Sequence, residues 1–411
     1  IYDGGGGIRG LCRDFTNDLD SLTIFELRDV LEEIYNSFNI RIDVLVLDAD
    51  LMGNIETAYQ CRDYVDYLVF SQEIEPSDGL PYADIFGDLV INPYMRPYQL
   101  AISIAQKYIA SYNNGSQGYE PYATMSVINI TALASYIFRK LDPLVGVLLH
   151  DYDIFKQDII YAINESEHFT SEEFRDLIDF LDILYANISD VSVRKLINET
   201  ISAVNQSIIY NGHLSEHPNA HGLSAYFLRD YRQDYDYLLI SAHHQWDCLI
   251  KKLNDINARV WLYKFSYTGI DSNNDEYYEA LNLSIDIDSD ENMYVYIDIY
   301  AKDDNGDELF LGRSASTWVN GDTADPIIVS IRVSYKSLFD LRLEIHDGHS
   351  WALISDLYYA YADDAVDIPM QNMPGYPSVK IVSPRYGDTV YGNVTIAVSY
   401  THLTLPTTER V

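Results

Sequence analysis

Ile42-Asp-Val-Leu-Val-Leu47 and Tyr67-Leu-Val-Phe-Ser71, joined through Asp48-Ala-Asp-Leu-Met-Gly53, decide the fold. Each outer run is almost continuously apolar and rich in β-branched residues, as a strand buried on both faces requires. Between them Asn54 can cap a helix that runs to about Asp63. Upstream, Thr23 with Glu26 forms a capping box, and Leu22 and Leu27 are placed as a hydrophobic staple. Leu27, Val30, Leu31, Ile34, Tyr35 and Phe38 then follow helical spacing. Ile1-Tyr2 reads as the end of another strand. Strand, helix, strand, helix, strand predicts an α/β domain: a parallel sheet with helices on both faces.

Downstream, residues 95–215 read mostly as helix. Pro97 opens one, a second covers 124–140, and a fourth runs over 191–210. The third is capped by Thr170 and Glu173, with a stripe of Phe174, Leu177, Ile178, Leu181 and Leu184. Residues 221–227 return to strand, and 233–253 read as a closing helix. From Val260 the period becomes two, over 260–266, 280–287, 293–301, 308–312, 327–333, 341–345 and 351–359. Such strands, split by Asp/Asn/Gly turns, predict an all-β sandwich. Asp303-Asp-Asn-Gly-Asp-Glu308 is one of those turns. The expected division is an α/β domain at 1–253, truncated at its N-terminus, and a β-sandwich at 254–370. The start of a truncated immunoglobulin-like repeat follows at 371–399, then a non-native tail at 400–411. The chain thus reads as a fragment of a longer protein.

The 411 residues carry 63 Asp+Glu against 27 Lys+Arg, a formal charge of −36. So acidic a surface repels phosphate backbones and anionic lipid, which argues against nucleic-acid and membrane-surface roles. No apolar run is long enough for a transmembrane helix. Cys12, Cys61 and Cys248 cannot make a disulfide framework or a four-cysteine zinc site. Sequons start at Asn114, Asn129, Asn164, Asn187, Asn198, Asn205, Asn282 and Asn393. This excess points to an exported or cell-surface protein whose signal region is missing.

Ligands of an open parallel sheet bind beyond the carboxyl ends of its strands. The loops that leave those ends are 3–10, 48–53 and 71–82. Gly5-x-Gly7-x-x-Gly10 fits a dinucleotide fingerprint, yet it opens a turn-rich loop where that motif needs a helix. Ile-Tyr-Asp-Gly-Gly-Gly-Gly-Ile-Arg-Gly10, Leu47-Asp-Ala-Asp-Leu-Met52, Glu56-Thr-Ala-Tyr59, Ser71-Gln-Glu-Ile-Glu-Pro76 with Pro81-Tyr82, and Ala220-His-Gly-Leu-Ser-Ala-Tyr-Phe227 occur in one order. Over roughly residues 1–253 this resembles the clostripain family of cysteine peptidases, which share a caspase-like fold (clan CD).

The resemblance puts the catalytic His at Gly4, the nucleophilic Cys at Asp50 and the oxyanion-hole amide at Gly5. The family cleaves after Arg or Lys through an acidic pocket, for which the resemblance offers Asp48 and Asp78. Neither replacement can do the original work. Glycine has no side chain to take a proton, and a carboxylate beside Asp48 is a poor nucleophile toward an amide. Each change needs at least two base substitutions, so two random read errors are a poor explanation. The expectation is a clostripain-like homologue that has lost catalysis. Two alternatives stand beside it: a working cysteine peptidase altered only in this sequence version, and a surface adhesion or scaffold protein acting through its β-domains. The expected partner is a polypeptide presenting Arg or Lys side chains.

The remaining candidates are weaker patterns. Cys12 reads as a bystander thiol and Cys61 as helix packing. His243, His244 and Cys248 share a predicted helix, but two ligands on one face do not make a zinc site. Asp48 and Asp50 have the i, i+2 spacing to share a proton or a cation. No cofactor is required. Asp271, Asn273 and Asp275 resemble the start of a calcium loop, although Glu276 stands where the turn glycine belongs.

Overall fold

The computed structural model describes residues 2–401, apart from 4–5, 9, 15–19, 228–230, 257–258, 273, 275–277, 303–307, 320, 322–325, 333–336, 360–367, 371–377 and 384–396. The capping box forms as read: the Glu26 amide donates to Thr23 Oγ1 at 3.2 Å and the Thr23 amide to Glu26 Oε2 at 2.9 Å, opening the helix Ile24–Phe38. Asn54 caps Ile55–Gln60 by accepting from the Thr57 amide at 2.8 Å.

Ile42–Val46 and Val65–Phe70 pair in parallel, Val44 beside Tyr67 and Val46 beside Val69. The four-stranded sheet is completed by Thr124–Asn129 and Ile208–His213. Along Val65–Phe70, Leu68 and Phe70 face one core while Val69 faces another. The first core holds the helices Ile24–Phe38, Phe138–His150 and Leu177–Asn187, and the second holds Pro97–Tyr112. Two cores, one on each face, explain the unbroken apolar runs.

The sheet is mixed rather than parallel, because Thr124–Asn129 runs antiparallel to Val65–Phe70. Two helices, Tyr82–Ile91 and Pro97–Tyr112, connect these strands. An even number of helical passes returns the chain to the end it left. The 124–140 segment therefore begins as a strand and becomes helical only from Ile130. Its residues 124–128 are all buried, and a short apolar run of that kind does not distinguish strand from buried helix by periodicity. Likewise Phe174–Asp176 is a strand, and Asp176, not Thr170, caps Leu177–Asn187 through the Ile178 and Asp179 amides. The helix Val191–Ser207 gives way to the strand Ile208–His213. The closing segment is broken into a 3₁₀ turn Gln233–Tyr237 and helices Leu239–His243 and Trp246–Leu253.

The all-β region forms as expected. Val260–Ile270, Ala280–Ser289 and Ile327–Arg332 make one antiparallel sheet; Glu308–Arg313, Met293–Lys302, Ser337–Asp347 and Leu353–Tyr359 make the core of the other. Leu283, Ile285, Ile297, Ile299, Leu343 and Ile345 fill the space between them. Gln245 ties the sandwich to the α/β part, accepting from the Leu262 amide at 3.0 Å and donating to the Leu262 carbonyl at 3.1 Å. A side-chain amide thus stands in for a missing strand neighbour. Of the 371–399 segment, Ser378–Ser383 pairs antiparallel with Ala397–Thr401; the rest, with residues 402–411, lies outside the described residues.

Candidate functional site

The two parallel strands deliver their carboxyl ends to the loops 47–54 and 71–81, and the loops are zipped together. The Leu47 amide donates to the Val69 carbonyl at 2.9 Å, Leu51 to Glu73 at 3.2 Å and Gly53 to Ser71 at 2.7 Å. A Cβ on Gly53 would lie 2.8 Å from the Ser71 and Gln72 backbone, so only glycine allows this approach. Asp48–Ala49 pairs in parallel with Tyr2–Asp3. Gly4 and Gly5 lie outside the described residues.

Asp48 is 2% exposed. Its Oδ2 accepts from Tyr82 Oη at 2.8 Å and from the Leu80 amide at 3.4 Å, while its buried Oδ1 has no hydrogen-bond partner. Asp50 is half-buried in the turn, and its Oδ1 accepts from the Glu75 amide at 2.8 Å. Glu75 faces both aspartates, with its buried carboxyl against the Asp48 side chain and the Ala49 backbone. Burial first, then the Asp48 and Asp50 carboxylates, push Glu75 well above the usual carboxylate range. Tyr108 Oη, also buried without a partner, closes the group; burial and then Glu75 push it up. Three carboxyl groups thus converge at the strand ends. A shared proton or a cation between them relieves the repulsion.

Asp78 is elsewhere. It is exposed on the turn, where its backbone carbonyl accepts from Gln117 Nε2 at 2.9 Å. Glu75 takes the place beside Asp48 that Asp78 was expected to hold. The signal for it lay in Ser71-Gln-Glu-Ile-Glu-Pro76, where Glu73 and Glu75 alternate. Tyr82 and Tyr108 carried no sequence signal beyond being two of 36 tyrosines.

Glu73 points the other way and anchors the loop. Its Oε2 accepts from the Thr170 amide at 2.8 Å and pairs with His217 Nε2 at 3.1 Å, while His217 Nδ1 lies 3.1 Å from Glu167 Oε1. Burial disfavours the charged imidazole, but the two carboxylates outweigh it and raise His217 to about 9. Burial likewise opposes the charged forms of Glu73 and Glu167, yet the His217 contact and amide donors lower both. The histidinium contribution is complete below its ordinary value near 6.5 and disappears as pH rises through about 9. The carboxylate contribution disappears as pH falls below the ordinary carboxylate range. Stability should therefore fall on both sides of a plateau. His217→Gln should remove the alkaline limb between about pH 6.5 and pH 9, read from melting midpoints against pH. An unchanged alkaline limb in the variant would contradict the clamp.

The other candidates resolve into packing. Cys61 is buried, and burial pushes its thiol up to about 12. Cys248 is buried against the Val260 carbonyl at 3.8 Å, and burial pushes its thiol well above the usual range as well. Cys12 is half-buried on Leu11–Asp14. His244 Nδ1 lies 2.7 Å from Asp142 Oδ2 and its Nε2 lies 2.8 Å from Tyr59 Oη; His243 Nδ1 lies 3.2 Å from the same hydroxyl. The helix breaks after His243, so His244 and Cys248 do not share a face. Asp271 is described, but Asn273 and Asp275 lie outside the described residues. Among the described residues, Asp298, Glu344 and His346 bring ligand-type atoms within 4.8 Å of one another. Arg313 already holds both Asp298 oxygens at 2.5 and 2.6 Å, and Arg342 holds Glu344 at 2.5 Å. Guanidinium groups neutralise that cluster.

A family model for the clostripain family matches residues 2–253. No curated protein matches the chain. Solved structures that it resembles include a secreted C11 cysteine protease from Bacteroides thetaiotaomicron in complex with an irreversible peptide inhibitor. That pair is 18% identical, covers 57% of this chain and 67% of the other, and has a TM-score of 0.42. A B. fragilis cysteine protease gives 17%, 58%, 95% and 0.38. An inactive zymogen C11 protease from Parabacteroides distasonis gives 18%, 58%, 67% and 0.39. Among the described residues, no helix is long and apolar enough to cross a membrane.

Proposed function

The chain belongs to the clostripain family, and on that premise we propose a member that holds Arg or Lys side chains of a polypeptide without cleaving it. The observation that carries this reading is the convergence of Asp48, Asp50 and Glu75 at the strand ends, with the Asp48 and Glu75 carboxyls buried against each other. A guanidinium offers these carboxyls donors in one planar fork and the positive charge that relieves their repulsion. Gly4 and Asp50 stand where the family resemblance puts its His and Cys, so the thiolate–imidazole chemistry has neither partner. The domain division at about residue 253 and an extracellular location, suggested by the sequons, belong to this same reading.

Binding should be linked to protons. Glu75 is raised in the free pocket, and a bound cation lowers it, so the Arg peptide should expel a proton wherever Glu75 is still protonated. Affinity should rise as pH climbs above the ordinary carboxylate range and Glu75 gives up its proton. Calorimetric titrations in two buffers of different ionisation enthalpy read the release directly. Buffer-independent heats together with pH-independent affinity would remove Glu75 from the site.

One observation favours a second reading, adhesion through the sandwich. Tyr294, Trp318 and Trp351 are exposed, and Tyr294 packs edge-on to Trp318 at 4.8 Å. Exposed rings of this kind mark interaction surfaces. Loss of partner binding in Trp318→Ala, with Asp48→Asn silent, would favour it.

A further inference from the structure

We propose that the cleft between the α/β part and the sandwich binds an oxyanion, a phosphate or carboxylate group, on Arg139. The cavity is about 340 Å³ and is lined by Arg41, Arg62, Arg139, Lys302 and Arg342 against only Asp63 and Asp340. That reverses the balance of a chain with 63 acids and 27 bases. Most of these cations are fixed in place. Arg41 pairs with Asp66 at 2.9 Å and donates to the Val65 carbonyl at 3.0 Å. Arg62 lies over the Tyr59 ring at 4.2 Å, and Arg342 is held by Glu308 and Glu344.

Arg139 differs. Its side chain is 21% exposed, its Nε is buried without a hydrogen-bond partner, and Asp340 Oδ1 is 3.6 Å from Nη2, too far for a hydrogen bond. A guanidinium offers five donors, and leaving the buried Nε without an acceptor is costly. An oxyanion in the cleft would accept two of them at once. Phe138 and His244, stacked at 3.7 Å, give the cleft an aromatic wall. Arg139 lies on the helix Phe138–His150 and Lys302 on the strand Met293–Lys302, so a bound anion bridges the two parts.

The test uses the full chain at fixed ionic strength, comparing inorganic phosphate, a tri-glutamate peptide and sodium chloride. At about 10 mM, phosphate or tri-glutamate should raise the melting midpoint about 2–4 °C above the chloride control. A rise with phosphate alone marks a phosphate site, and one with the peptide alone a carboxylate site. Arg139→Gln should abolish the rise and Arg139→Lys keep part of it. Lys302→Gln, on the opposite wall, should at least halve it and serves if Arg139→Gln does not fold. No rise beyond chloride with either anion, or a rise unchanged in the variants, overturns the proposal.

Discussion

An Arg- or Lys-containing fluorogenic peptide incubated with this chain should be turned over no faster than in buffer. A cysteine peptidase attacks through a thiolate that its histidine generates, and removing either partner usually costs most of the rate that depends on the pair. With both positions changed, the loss should reach at least about 10⁴-fold. No other buried thiol can substitute. Cys61 and Cys248 are raised by burial, which keeps them protonated and unreactive. Asp50 is also engaged, accepting the Glu75 amide at 2.8 Å. Turnover that a thiol alkylator stops would contradict this and would point to Cys12.

Asp48→Asn should erase the preference for an Arg peptide over its Ala counterpart. A charge-assisted hydrogen-bonded pair contributes about 1–3 kcal/mol net, which corresponds to roughly 5- to 150-fold in affinity. Glu75→Gln should weaken Arg binding as well, but with a distinguishing effect on stability. Because Glu75 is raised in the folded state, the folded protein binds its proton more tightly, and stability falls as pH rises through its ionisation. Removing that carboxyl should raise the neutral-pH melting midpoint while lowering affinity, as expected where a site is kept at the expense of stability. A variant that loses both stability and binding would mark Glu75 as a structural residue.

Much of this was legible in the residues. The runs at 42–47 and 67–71 announced buried strands because nothing polar interrupts them. The Thr23–Glu26 box formed as read, and the period-two segments after Val260 became the sandwich. Thr124–Asn129 was not legible, because a six-residue strand buried throughout 124–128 and leading straight into a helix has no periodicity of its own. Asp176 was hidden for a related reason: it ends a three-residue strand, so its capping role depends on where that strand pairs, beside Ser224. The proposed pocket was half legible. Asp48 came from the motif, whereas the choice between Glu75 and Asp78 depends on the turn at Pro76–Gly79. The Gly79 amide closes that turn on the Pro76 carbonyl at 2.8 Å, and Asp78 is carried outward with it.

The most direct test is a calorimetric titration of the chain with an Arg peptide and with the same peptide carrying Ala, followed by mass spectrometry of the recovered peptide. Saturable binding that favours Arg by at least about fivefold, with the peptide recovered intact, is the predicted result. Equal binding of the two peptides, or a product cut after Arg, would contradict a pocket that holds a basic side chain without cleaving.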